Sequence, residues 1–86
     1  MPTISMFYGI IIRMYNTNEH NLPHFHAFYG EEEAVFDFNG LLIKGKFSKR
    51  NIKLISAWCE IHYDELIANW TLAENGESLF KIEPLK

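Results

Sequence analysis

The chain has 86 residues, of which 48% are hydrophobic and 15% aromatic, and its formal net charge is −3. This length and composition predict one small folded domain with its own core and exclude a disordered chain. The negative charge argues against a protein that binds nucleic acid mainly through its overall charge.

The cysteine content and the length of the hydrophobic runs indicate the cellular compartment of the protein. The single cysteine, Cys59, cannot form an intrachain disulfide, and its place on an apolar helical stripe predicts a buried, unreactive thiol. No charged-then-apolar leader is visible, and the longest apolar run, residues 9–12, is far too short to span a membrane. We therefore expect a cytoplasmic protein, small enough that a homodimer or a partner subunit could supply part of its stability.

Runs of β-branched and aromatic residues that alternate between two faces predict four strands. They cover residues 7–15, 24–29, 34–38 and 41–47. Residues 1–6 are expected to lie along a sheet edge. Asn39 and Gly40 are the strongest hairpin signal, because a type I′ turn needs positive φ at both central positions. The alternation places most apolar residues, with Leu41 and Ile43 of the last strand, on one face. The opposite face is predicted to carry Arg13, His24, His26, Asp37, Lys44 and Lys46.

After the last strand the apolar period becomes helical, with Ser48 as the N-cap and an Asn-Gly stop at residues 75–76. An unbroken helix over this span would be about 40 Å long, whereas a strand of six or seven residues is about 20–24 Å long. We therefore expect a bend or break within residues 62–64. Residues 79–85 have a brief strand-like pattern and are expected to add an edge strand or simply to pack.

Together these elements predict a single α+β domain over residues 1–86. It has two layers, a four-stranded antiparallel sheet covered on one face by a long or broken C-terminal helix. Trp58 and Trp70 are expected to anchor the core between the layers. The other sheet face is left open and carries the mixed polar residues.

Residues 19–30 hold three of the chain's four histidines within seven positions. His24 and His26 are two residues apart on a predicted strand, so both side chains point to the same open face, while His20 lies in the preceding turn. Such a trio resembles the three-histidine sets that bind Zn²⁺ or another divalent ion. The metal hypothesis therefore assigns His20, His24 and His26 as ligands, with a carboxylate from Glu19, Glu33 or Asp37.

The same histidine pair supports a second hypothesis, acid–base catalysis without a metal. An imidazole with its ordinary pKa of about 6.5 exchanges protons at neutral pH. His24 and His26 would then act on a substrate whose phosphate is held by Arg13, Lys44 or Lys46, as in a small RNase. The acidic composition counts against this hypothesis, since RNA affinity is mostly phosphate neutralisation.

A third hypothesis is a binding module, in which the open face or an edge strand docks a partner. Its aromatic contact residues would be Tyr8, Tyr15, Phe28 and Tyr29. In the purely structural alternative, His24 and His26 hydrogen-bond backbone groups or pack in the turn. An anionic partner is most expected at a small basic patch of Lys49, Arg50 and Lys53, next to Lys44 and Lys46.

Four segments, MPTISMFYGIIIRMY, EHNLPHFHAFYGEEEAVFDF, HYDELIANW and KIEPL, resemble a family of small bacterial proteins, domain-of-unknown-function family 4160. The chain departs from the family pattern D-H-x-P-P-H-F-H-A-x-Y-G at Glu19 and Leu22, and neither change removes a histidine. The pattern is matched by His20, Pro23, His24, His26, Tyr29 and Gly30.

The resemblance implies no established activity. Members are often encoded beside a second small protein, an arrangement similar to toxin–antitoxin pairs, which implies a protein partner from a neighbouring gene and nucleic acid only in a complex. The predicted function is therefore a small cytoplasmic interaction module, one component of a toxin–antitoxin-like system, acting through its histidine-bearing sheet face. The alternative is a small RNase or hydrolase that uses His24 and His26, with or without a divalent metal such as Zn²⁺.

Overall fold

The structure, a computed structural model, describes residues 2–15 and 22–86. Within these residues it contains five strands and one long helix. Their bounds are Thr3–Phe7 (β1), Ile10–Arg13 (β2), His24–Tyr29 (β3), Glu32–Asp37 (β4), Leu42–Gly45 (β5) and Lys49–Glu74 (α1). The strands form one antiparallel sheet in the order β1-β2-β3-β4-β5. The predicted α+β class is confirmed, but the predicted number of four strands is wrong.

The fifth strand exists because the predicted first strand is interrupted by a turn. Tyr8 and Gly9 have φ angles of 50° and 81°, and Phe7 pairs with Ile10 across them. Two such residues between paired strands form a type I′ hairpin turn. The segment expected along a sheet edge is therefore an edge strand, β1. Tyrosine is uncommon at positive φ, so the sequence pattern concealed the turn.

The connection between β4 and β5 is a hairpin, but its turn is not of the predicted type. Gly40 has a φ of 83°, whereas the φ of Asn39 is not positive, which excludes a type I′ turn. One carboxylate oxygen of Asp37 instead accepts hydrogen bonds from the backbone N–H groups of Asn39 and Leu41, both at 2.9 Å. This side-chain cap stabilises the loop between β4 and β5, which is longer than a two-residue hairpin turn.

A bulge in β5 then changes which of its residues face the core. Val35 pairs with Lys44 but Phe36 pairs with Leu42, so Ile43 has no partner opposite it on β4. Leu42 consequently packs against the core. The residues left exposed are Leu41 and Ile43, which the alternation had placed on the core face.

The helix begins and bends as predicted. The hydroxyl of Ser48 accepts a hydrogen bond of 3.2 Å from the backbone N–H of Asn51, which satisfies one of the free donors of the first turn. The helix kinks at His62, whose φ and ψ of −114° and 25° are not helical. Nδ1 of His62 donates to the Glu65 carboxylate at 2.6 Å. No helix in the described part of the chain is long and apolar enough to cross a membrane.

Aromatic rings between the two layers form the centre of the core. Trp58 is fully buried and lies 5.2 Å from Phe7 and 5.8 Å from Phe25 between ring centroids. Further along α1, Trp70 meets Phe38 edge to face at 6.0 Å. Both tryptophans therefore anchor the helix to one sheet face, as predicted.

The C-terminal tail packs on the domain without forming a strand, one of the two predicted outcomes. The fully buried side-chain amide of Asn69 hydrogen-bonds both backbone groups of Phe80, at 2.9 and 3.0 Å. The backbone N–H of Ile82 donates to the carbonyl of Ile4 at 2.8 Å. The tail is thus held against α1 and against edge strand β1.

Candidate functional site

The predicted histidine pair projects from the sheet face opposite the one that α1 covers, which we call the open face, and at the start of β3 the His24 ring also contacts Trp70 of α1. Along β3, Phe25 and Ala27 are fully buried towards the helix. His24 and His26 alternate with them and are half-buried. The two histidines therefore point to the same face of the sheet, as the alternation of strand side chains predicted.

Strand register arranges the open face in rows that cross the sheet. In the middle row Arg13 pairs with His26, His26 with Val35, and Val35 with Lys44. Directly paired residues have Cβ atoms about 5 Å apart, so Arg13 lies next to His26. Lys44 lies two strands from His26 across the sheet, at about 10 Å from it.

His24 lies where the sheet meets the helix. Its Nδ1 is 2.8 Å from the carbonyl oxygen of Leu22, and because a carbonyl only accepts, Nδ1 carries the hydrogen and Nε2 of the neutral ring is the acceptor. The ring centroid is 5.3 Å from that of Trp70 and 5.5 Å from that of His26. One nitrogen therefore satisfies the backbone, as the structural alternative expects, and the other can still accept a hydrogen bond.

His26 is more enclosed, with its side chain 19% exposed. Its ring meets that of Tyr15 edge to face at 4.2 Å. Its buried Nδ1 lies 3.6 Å from Oε2 of Glu33, beyond the usual hydrogen-bond length of about 2.7–3.2 Å. Burial, together with the charge of nearby His24, lowers the pKa of His26 below 6.5, although Glu33 opposes the shift. At neutral pH the ring is therefore uncharged.

Tyr15 and Arg13 are the neighbours of His26 whose charge states and contacts shape the cluster. Burial raises the pKa of Tyr15, as does the charge of Glu33, while Arg13 lowers it, so the hydroxyl keeps its proton at neutral pH. Nε of Arg13 donates to the hydroxyl of Thr3 at 3.2 Å, and its guanidinium lies 5.3 Å from the centroid of the Phe28 ring. Arg13 is thus a positioned cation beside the imidazole.

Other predicted site residues lie apart from this cluster. Lys46 follows β5 and is exposed. Tyr29, a predicted contact residue, is 39% exposed, and its ring lies across Gly9 at the end of β3. Asp37, considered as a metal carboxylate, caps the turn after β4.

The metal hypothesis depends on a residue outside the described ranges. His20 and Glu19 fall between residues 15 and 22, so the proposed trio is not defined here. Within residues 2–15 and 22–86 no three His, Cys, Asp or Glu side chains lie close enough to hold one ion. Zinc binding by His20, His24 and His26 stays a prediction.

Two features of the open face were not predicted from the sequence. An apolar row crosses three strands, with Met6 paired to Ile11 and Ile11 to Phe28. The alternation around Met6 would have indicated it, had β1 been recognised as a strand. The contact of His24 with Trp70 had no local signal, because it joins residues far apart in the chain.

Chemically, the open face combines an apolar row with a cluster of hydrogen-bonding rings, Tyr15, His24 and His26, and the carboxylate of Glu33. Nε2 of His24 is the free acceptor of its ring, because Nδ1 donates to the Leu22 carbonyl. The same atom can accept a hydrogen bond from a partner's side chain.

Comparison with known proteins agrees with the resemblance in the histidine segment. The profile described as Domain of unknown function (DUF4160) matches residues 9–71, which run from the β1–β2 turn almost to the end of α1. No curated protein and no solved structure matches the chain. The match covers most of the chain and includes the histidine pair, and the chain belongs to the DUF4160 family.

Proposed function

We propose that the protein is a small interaction module that binds a partner protein on the open face. The observation that carries this proposal is the apolar row beside the histidine cluster, on the face that α1 does not cover. Met6 is 60% exposed, and Ile11 and Phe28 are half-buried. Met6 pairs with Ile11, and Ile11 pairs with Phe28, so the three side chains lie side by side across β1, β2 and β3.

This arrangement has the anatomy of a protein interface. Interfaces place apolar and aromatic side chains at the centre and polar groups at the rim, with arginine enriched. Here the apolar row adjoins the row of Arg13 and His26, and Lys44 lies at the far side of the sheet. Glu33 follows Phe28 at the other end of the apolar row. Charges of both signs therefore border the apolar surface.

The histidine cluster supports the proposal because its rings are already ordered. His26 is enclosed by Tyr15 and His24, and His24 is held by the Leu22 carbonyl. Side chains that are ordered before binding lose less conformational entropy in the complex. Nε2 of His24 can then accept a hydrogen bond from the partner at little entropic cost.

The family resemblance supports the identity of the partner. We propose the product of a neighbouring gene, in a two-component arrangement of toxin–antitoxin type that works in the cytoplasm and meets nucleic acid as a complex. A homodimer through the same face is the competing assembly, and the oligomeric state in solution distinguishes the two.

The test co-expresses the chain with the product of the adjacent gene and measures the dissociation constant of the complex by calorimetry. Ile11→Asp or Phe28→Asp is expected to weaken binding at least tenfold, because a charge would be buried in the apolar row. Ile67→Asp changes an exposed residue of α1 and serves as the matched control. Equal weakening by all three variants, or no complex with the wild-type chain, contradicts the proposal.

The second candidate function is a small RNase or hydrolase that uses His24 and His26. The observation that favours it is the 5.5 Å separation of the two rings, with Arg13 beside one of them. Hydrolysis of bulk RNA that is lost in both His24→Ala and His26→Ala, and retained in His62→Ala, would support this candidate. Retention of the activity in either site variant would contradict this candidate.

A further inference from the structure

Positive charge is segregated in one part of the chain. Residues 38–59 contain five of the eight Lys and Arg residues and none of the eleven Asp and Glu residues. All five cations are exposed. In the part of the chain that the structure describes, none of them forms an ion pair with a carboxylate. The acidic net charge of the whole protein therefore conceals a local basic surface.

Four of these cations lie in or just before the first turns of α1, and an aromatic ring contacts one of them. The guanidinium of Arg50 lies 5.9 Å from the centroid of the Tyr8 ring, so the β1–β2 turn contacts the first turn of the helix. That helical turn contains no acidic residue. We call this surface the basic–aromatic patch, made up of Tyr8, Lys46, Lys49, Arg50 and Lys53.

Tyr8 occupies a backbone position that does not favour a bulky side chain. The first position of a type I′ turn favours Asn, Asp or Gly, because its φ is positive. Tyr8 adopts a φ of 50° although its side chain is 50% exposed. Burial in the core therefore does not account for the bulky residue, whereas a ring displayed beside Arg50 can stack on a ligand.

We propose that the basic–aromatic patch binds single-stranded nucleic acid, with the cations on successive phosphates and the Tyr8 ring stacked on a base. Single-stranded chains are bound by this combination, a positively charged surface with aromatic side chains on which bases stack. An acidic polypeptide would use the cations but would gain nothing from the displayed ring. The patch lies apart from the open-face histidines, so this inference does not rest on the proposed protein interaction.

The acidic β3–β4 connection, with Glu31 in the turn and Glu32 and Glu33 at the start of β4, predicts how strong this binding is. It lies at the same end of the sheet as the β1–β2 turn, since both are hairpin turns of one antiparallel meander. Its negative charge limits the patch on that side. Binding is therefore expected to be weak and strongly dependent on salt.

The experiment measures fluorescence anisotropy of a labelled single-stranded oligouridylate, with the intact chain at several salt concentrations. Neutralising four phosphates predicts a slope of about −3 in a plot of log K against log salt, from about −0.7 for each phosphate. The double substitution Lys49→Gln and Lys53→Gln should reduce that slope by about 1.4. Lys81→Gln with Lys86→Gln makes the same charge change in the exposed tail and should leave the slope unchanged.

A second variant tests the stacking contact. Tyr8→Asn suits the type I′ turn, so the fold is expected to be retained, which circular dichroism checks. It should weaken oligouridylate binding about fivefold or more, whereas Tyr63→Ala, at an exposed position on α1, should not. The proposal is overturned if the oligonucleotide does not bind in low salt, or if the patch variants bind like the controls. Tighter binding of polyglutamate at the same residues would instead identify an acidic polypeptide as the ligand.

Discussion

The rings of Tyr15 and His26 meet edge to face with their centroids 4.2 Å apart, on a sheet face that the helix does not cover. This contact encloses the imidazole at a position that alternation alone would leave in solvent. On its other side lies the carboxylate of Glu33, 3.6 Å from Nδ1. Burial and the charges of His24 and Glu33 therefore determine the pKa of His26.

The first prediction concerns the pKa of His26, followed by NMR through its ring C–H signals. The pKa should lie below 6.5, chiefly because burial disfavours the imidazolium. Glu33→Gln should lower it further, since the carboxylate favours the charged ring, and His24→Gln should raise it. Glu32→Gln alters an adjacent carboxylate that pairs with Tyr29 instead and should have little effect. A His26 pKa above 6.5 would contradict the enclosed geometry.

The second prediction concerns how the protonation of His26 changes the free energy of unfolding with pH. The unfolded chain takes up the His26 proton near pH 6.5, whereas the folded chain does so only at lower pH. The free energy of unfolding should therefore fall as the pH is lowered from about 6.5 towards the folded-state pKa. His26→Gln should lose this component, so that its pH dependence of stability, measured by urea unfolding, is shallower than that of the wild type. Identical profiles would show that His26 is not perturbed by folding.

The third prediction concerns Cys59, which is 1% exposed. Burial, with a contribution from the charge of Asp37, raises its pKa to about 12. At pH 8 only about one thiol in ten thousand would be a thiolate. The native protein should therefore not react with a disulfide reagent over minutes, whereas the urea-unfolded chain should react rapidly. Equal rates in the two states would mean that the thiol is accessible in the fold.

The fourth prediction compares two glycines with positive φ. A Cβ at Gly40 would lie 2.7 Å from the backbone Cα of Ser56 on the helix, whereas a Cβ at Gly76 would meet nothing within 4 Å. Both alanine variants lose about 1 kcal/mol to backbone strain, and Gly40→Ala adds about 1–3 kcal/mol from overpacking. Urea unfolding should rank Gly40→Ala as clearly the less stable. Equal losses would show that the turn moves freely from the helix.

The fifth prediction tests how the tail is held. Asn69→Ala removes both hydrogen bonds to Phe80 and should lower the free energy of unfolding by about 1–3 kcal/mol. Hydrogen exchange should also become faster at Ile82, whose N–H donates to β1. Asn75→Ala, at an exposed position, should change stability by less than about 0.5 kcal/mol. Unchanged exchange at Ile82 would mean that the tail is held without Asn69.

Local patterns predicted much of this protein. A two-residue period placed His24 and His26 together opposite Phe25 and Ala27, because successive side chains of any strand point to opposite faces. The helical period, the Ser48 cap and the break at His62 followed in the same way from short-range geometry. The family resemblance depended on the same kind of local information, the residues of the histidine segment.

The tertiary structure decided what local periods do not encode. The turn at Tyr8 and the bulge at Ile43 depend on pairing with a neighbouring strand, so each looked like regular alternation in the sequence. The enclosure of His26 by Tyr15, and the contact of His24 with Trp70, join segments brought together only when the sheet and helix pack. The sequence by itself determined which face carries the histidines, because that depends on a single strand. Packing determined their neighbours and the pKa of His26, because burial and charge act through space.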